Sequence, residues 1–221
     1  MPTPPEVPKP LRRDAERNRR VVLDTARRLV AERGLDVGFE EIAREAGVGV
    51  GTVYRRFPHR ADLVDALFAD RIDEMVALAA RALEVADPWE ALVWFFERSA
   101  AAQAGDRGLL EAMVGDVEAR ERLDAARERM QPAVDAVVRR AREAGVLRPE
   151  IEVLDLAVLT MMISMATTTD QPDLWRRYVP VLLGGIRRRD DDEVLPLHPP
   201  QDHELPQIVH PAGRASRPAR T

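Results

Sequence analysis

The chain has 221 residues, 45% of them apolar and 32% charged, so it can bury a sizeable core and is not disordered throughout. It contains no cysteine, which excludes disulfides, thiol nucleophiles and thiolate metal sites. No run of eighteen apolar residues marks a membrane span and no apolar stretch precedes Val21, so the chain reads as a cytoplasmic protein without a secretory signal.

The formal net charge of −5 is unevenly spread. Residues 1–60 hold 13 Lys and Arg against 9 Asp and Glu, a net of +4, while the remainder carries −9. An excess of cations at one end suits a protein that meets phosphates there and nowhere else. Any single arginine run would also serve to solvate a helix face.

Taken in order, residues 1–12 are rich in proline and then arginine, and read as a disordered arm. A helix is predicted from about Asp14 to Arg33, with Val21, Val22, Thr25, Leu29 and Val30 as its apolar stripe and Gly34 as its stop. Pro58 closes the next two short helices, and a long helix should run from Arg60 or Ala61 to about Val85 on Leu63, Leu67, Ile72, Met75 and Leu78. Asp87-Pro88 is an N-cap followed by proline at the first helical position, and opens a helix to about Ala104. Beyond Gly105–Gly108 come a short helix at 109–114, a longer one from Val117 to Ala144 containing Pro132, a methionine-rich helix from Leu154 to Thr168, and a last one from Pro172-Asp173 to Arg188. The RRRDDDE block then gives way to a polar, proline-rich stretch, so residues 189–221 read as a disordered tail. No segment alternates with period two, and the expected fold is all-α with about nine helices.

The densest signal is residues 39–63, FEEIAREAGVGVGTVYRRFPHRADL. Ile42, Ala43 and Ala46 sit at helical spacing, Gly47-Val48-Gly49 breaks it, and Val53 and Phe57 resume it at i, i+4. Two short helices crossing through a glycine-bearing turn form a helix-turn-helix. The second carries Thr52, Tyr54, Arg55 and Arg56, with Arg60 just beyond, side chains able to reach phosphates and base edges in a major groove.

Other chemistries find little support. His59, His198, His203 and His210 show no metal-ligand spacing, and no nucleophile elbow, phosphate loop or dinucleotide fingerprint occurs, so neither an enzyme nor a cofactor or metal site is expected. The aromatics Trp89, Phe95 and Phe96 and the methionines Met75, Met113, Met130, Met161 and Met162 are read either as ordinary core or as the lining of an apolar pocket.

Residues 19–68, with RRVVLDTARRLVAERG, IAREAGVGVGTVYRRF and PHRADLVDAL in that order, resemble the DNA-binding domain of the TetR family of bacterial transcriptional regulators. The resemblance implies a helix-turn-helix domain at 13–60 and a helical effector-binding and dimerisation domain at 61–188. It implies that Val50 and Gly51 approach bases, that Thr52, Tyr54 and Arg60 contact phosphates, and that Arg55 and Arg56 face the groove. Two positions depart from the family pattern. Gly38-Phe39 stands where a hydroxyl residue usually opens the second helix, and Glu40 stands at the next position, so binding should rest mainly on the third helix. DRGLLEAM, AGVLRPEIEVLDL and WRRYVPVLLGGIRR extend the likeness over roughly 87–188. This part implies a pocket for a partly apolar small-molecule effector, and Arg98 or Gln103 is a candidate polar contact there. It also implies a homodimer through Leu154, Val158, Met165, Leu174, Tyr178, Leu182 and Ile186. The expected function is a ligand-responsive repressor that binds a near-palindromic double-stranded DNA operator. The alternatives are an activator, a nucleoid-type DNA binder, or a helical small-molecule-binding protein that no longer reads DNA.

Overall fold

The structure is a computed structural model describing residues 9–104, 117–168, 170–201 and 204. The described residues form eight helices and no strand: α1 (Lys9–Arg33), α2 (Phe39–Ala46), α3 (Val50–Arg56), α4 (Arg60–Leu83), α5 (Pro88–Gln103), α6 (Val117–Glu143), α7 (Val153–Ala166) and α8 (Trp175–Ile186). The helix expected at 109–114, and Met113 with it, lies outside the described residues.

The boundaries follow local chemistry. Asp87 caps α5 by accepting from the Glu90 amide at 2.8 Å, with Pro88 in the first turn where its missing N–H costs nothing. Gly47 ends α2 in the left-handed region, φ 67°, and the Val48 amide reaches back to the Ala43 carbonyl at 3.0 Å. The α1 helix starts at Lys9, five residues ahead of the expected Asp14, and so takes in the last part of the expected arm. Its buried stripe is Val22, Leu23, Ala26, Leu29 and Val30, whereas Val21, counted into the stripe from sequence, is exposed.

Two apolar cores are built along α4. The first joins Val22, Leu29, Phe39, Ile42, Val53, Phe57 and Leu63, with Leu67 packed against it, so it continues past the boundary drawn at residue 60. The second starts at Met75 and gathers the inner faces of α5, α6, α7 and α8 around Phe96, Leu92, Val137 and Val179. Arg27 on α1 pairs with Asp70 on α4 at 3.3 Å, and Arg71 donates to the Ala102 carbonyl at the end of α5. One long helix is thereby fastened to both halves.

At the other end the chain is fixed where a free tail was expected. The Arg148 amide donates to the Ile186 carbonyl at 3.0 Å and the Arg188 amide to the Val146 carbonyl at 3.0 Å. Arg148 also donates through Nη2 to the Glu193 carbonyl and faces Asp192 at 3.7 Å. Residues 189–193 are thus gathered by a largely buried arginine of the loop between α6 and α7. Residues 205–221 lie outside the described part.

Candidate nucleic-acid interface

The α2–α3 turn follows from two residue types. The left-handed backbone at Gly47 costs a glycine little, and Gly49 is the extended N-cap of α3. Val53 and Phe57, 0% and 4% exposed, press α3 onto Ile42, Ala43 and α1. Because α3 is seven residues long, burying Val53 turns the remaining positions outward.

Val50, Gly51, Tyr54, Arg55, Arg56 and Arg60 are all exposed and Thr52 is half-buried, so the residues predicted to contact DNA lie on the parts of α3 and the start of α4 that the core leaves open. Arg55 donates to Thr52 Oγ1 at 3.2 Å, and Arg60 faces Asp36 at 3.7 Å. Tyr54 donates its hydroxyl to Glu40 Oε1 at 3.1 Å, while its ring meets Phe39 edge-on with centroids 5.0 Å apart. That hydrogen bond, helped by the negative charge of Glu40, raises the tyrosine pKa and keeps the phenol protonated.

Sequence reasoning missed the role of Glu40. The signal in the sequence was its departure from the family pattern, while the pairing with Tyr54 depends on how α2 and α3 cross. The other acids of α2 are engaged by arginines: Glu41 by Arg33 and Arg44, Glu45 by Arg28 at 3.4 Å. Gly38 supplies no side-chain cap, and Phe39 is spent on the core.

Of the positions read as a pocket, Met75, Trp89, Phe95 and Phe96 lie in the second core with Met130 packed against it, and Met161 is buried outside that cluster. Met162 is not among them: it is 56% exposed and points outward, as does Met165 at 65%. One helical face cannot send adjacent residues to the same side, and burial of Met161 turns Met162 out. Arg98 is also at the surface, stacked over the Trp94 ring with its guanidinium carbon 5.6 Å from the centroid. Four hydroxyls lie deep in this half: Ser99 donates to the Met75 sulfur at 3.2 Å, Thr160 to the Leu156 carbonyl at 2.7 Å and Thr167 to the Ile163 carbonyl at 3.0 Å, while Ser164, 2% exposed, has no hydrogen-bond partner among the described residues. A cleft of about 360 Å³ opens elsewhere, between α1, α4 and the end of α5, lined by Asp24, Arg27, Arg28 and Arg71.

Of the residues read as a dimer face, Met165 and Tyr178 are exposed and Leu154, Val158, Leu174 and Leu182 half-buried. Ile186 is 5% exposed and belongs to the second core, because the chain turns inward there to pair with the Arg148 loop. Val181, 66% exposed and one turn beyond Tyr178, lies on the same exposed side of α8. Among the described residues no helix is long and apolar enough to cross a membrane.

An all-α chain with an outward-facing recognition helix and a separate helical body is a helix-turn-helix DNA-binding protein. Residues 22–67 match the bacterial regulatory proteins of the TetR family, and residues 87–188 match the C-terminal domain of SbtR-like transcriptional regulators. A TetR regulatory protein from Mycobacterium vanbaalenii is 34% identical, covering 80% of this chain and 99% of its own, with a TM-score of 0.62. The chain belongs to the TetR family of transcriptional regulators. A Staphylococcus aureus HTH-type transcriptional regulator is 39% identical over 54 residues, 24% of this chain and 29% of that protein, so the likeness to this curated relative spans under a third of its length. The same fold occurs at 17% identity in AibR, solved with isovaleryl coenzyme A and operator DNA, with 76% of this chain and 97% of that one covered and a TM-score of 0.59.

Proposed function

We propose that this chain is a cytoplasmic repressor that binds a near-palindromic operator as a homodimer and releases it when a small, partly apolar effector enters the helical body. The observation that carries the reading is the outward face of α3, on which Tyr54, Arg55 and Arg56 stand free of the core while Val53 and Phe57 anchor the helix. Each copy would lay that face in a major groove, with half-sites one helical turn, ~34–36 Å, apart or further. Val50 and Gly51 approach bases, Thr52, Tyr54 and Arg60 hold phosphates, and Arg55 and Arg56 face the groove.

The outward side of α7 and α8, with Met162, Met165, Tyr178 and Val181, is the surface on which a second copy packs. The effector takes space now filled around Met75, Phe95 and Phe96, and the unpartnered Ser164 hydroxyl gives it a hydrogen-bonding group in an apolar setting. Effector and operator need only differ in affinity for two arrangements of α4, a coupling of typically ~1–3 kcal/mol. The α1–α4 and α4–α5 links through Arg27–Asp70 and Arg71–Ala102 support this coupling, since they tie that helix to both halves.

The test is a gel shift on the protein's own promoter region with the double variant Tyr54→Ala/Arg55→Ala. Binding to the specific fragment should vanish while the circular dichroism melt is unchanged, since both side chains are exposed. Unchanged specific binding would remove α3 from the role of recognition helix.

A further inference from the structure

Eleven large apolar side chains are exposed among the described residues, and seven of them lie on α7, α8 or the segment directly behind α8. Three belong to that segment: Val194, Leu195 and Leu197, exposed by 79%, 39% and 80%. The segment is held at its root and bare along its length. Arg148, with a side chain only 12% exposed, draws in Asp192 and the Glu193 carbonyl, and the Arg189 amide donates to Asp192 Oδ2 at 2.7 Å. Pro196, Pro199 and Pro200 then bar a helix that could fold these side chains back, and the backbone bends at Pro196 and Leu197.

Its position relative to α7 and α8 follows from the same loop. Pairing of Arg148 with Ile186 sets the end of α8 beside the start of α7, so the two helices run antiparallel. Met165 and Tyr178 stand at the far end of the pair, and the 194–197 segment leaves from the near end. It adds a second exposed apolar stretch at the end of the pair opposite Met165 and Tyr178. Between them, Arg188, Arg189, Asp190 and Asp191 are exposed, two cations followed by two anions. A two-fold contact needs a surface complementary to itself, and two such blocks running antiparallel set each cation pair against an anion pair.

We propose that residues 194–197 form an arm that closes over a second copy of this chain, extending the α7–α8 contact. This rests on the homodimer reading above. The experiment uses the full chain and the variant Val194→Ser/Leu197→Ser, with the dimer dissociation constant taken from sedimentation equilibrium. Because both residues are exposed in the single chain, the melt of the monomer should not change. The arm predicts dissociation weakened by about tenfold or more, from the apolar area that two arms would leave in water. A variant that dimerises as tightly as the parent overturns the arm and leaves the homodimer standing. A parent that stays monomeric at every concentration overturns the homodimer itself. Should the parent dimer be too tight to dissociate, Leu197→Cys supplies the only thiol in the chain for a fluorescent label. Protection of that label from iodide in the dimer supports the arm, and quenching as complete as in urea rejects it.

Discussion

Tyr54 on α3 donates its hydroxyl to Oε1 of Glu40 on α2 at 3.1 Å, across the turn that sets the recognition helix. The contact couples a side chain proposed to hold a phosphate to a carboxylate that phosphate repels. Two effects oppose each other: Glu40 keeps the ring ordered against Phe39, and its charge weakens every nearby phosphate contact. Both groups are exposed, so the order gained is small and the charge should dominate. Glu40→Gln is therefore expected to tighten binding to operator and random DNA alike, by roughly threefold at low salt. Competition binding on the two DNAs checks it. A fall on operator alone would mean instead that Glu40 accepts from a cytosine amino group.

Phe57 separates folding from recognition. It is 4% exposed, closes α3 against the first core, and lies one position past the arginines. Phe57→Ala should cost about 3–5 kcal/mol and lower the urea midpoint of the N-terminal half. DNA binding would then be lost together with helicity there, unlike the Tyr54→Ala/Arg55→Ala variant, whose melt stays put. Loss of binding in Phe57→Ala with an unchanged urea curve would contradict the packing described.

The helix-turn-helix was legible because its parts are local. Glycines at 47 and 49, apolar residues at 53 and 57 and the proline at 58 fix turn, burial and stop within a few residues. The α5 cap at Asp87-Pro88 was legible for the same reason. What could not be read depends on contacts distant in sequence. Whether Met161 or Met162 points inward is set by how α7 meets α5 and α8, and the helix is apolar nearly all round. Ile186 and residues 189–193 are placed by Arg148, some forty residues earlier, through backbone groups that leave no pattern in side-chain type. Glu40 was legible as a misfit to the family pattern but not as the partner of Tyr54, since that requires the crossing of α2 and α3.

Gly47 makes the turn testable without touching the DNA face. Its φ of 67° is left-handed, and a Cβ added there meets no atom within 4 Å, so only backbone conformation resists substitution. Gly47→Ala should destabilise the N-terminal half by about 1 kcal/mol, and Gly47→Asn by less, because asparagine tolerates this region better than other side chains. Thermal melts of the two variants order them. Equal losses would mean that something other than backbone conformation is responsible.

Asp155 carries a pH dependence in the first turn of α7. It accepts from the Glu152 amide at 2.8 Å, yet partial burial raises its pKa, the amide bond only partly offsets this, and the charge of Glu152 adds to it. The sign follows from linkage. A carboxyl whose folded pKa is raised favours the folded state fully below its unfolded value, ordinarily near 3.8, and loses that contribution as pH rises through the folded value. At neutral pH the buried charge is therefore a net cost, although Glu152 itself is paired with Arg142 at 2.9 Å. Asp155→Asn keeps an acceptor for the Glu152 amide and removes the charge. It should raise the melting temperature at pH 7 relative to the parent, and the difference should shrink as the pH is lowered through the carboxylate range. Melts at several pH values measure this, and a gain that grows on acidification would mean the Asp155 carboxylate is stabilised, not penalised, by its site.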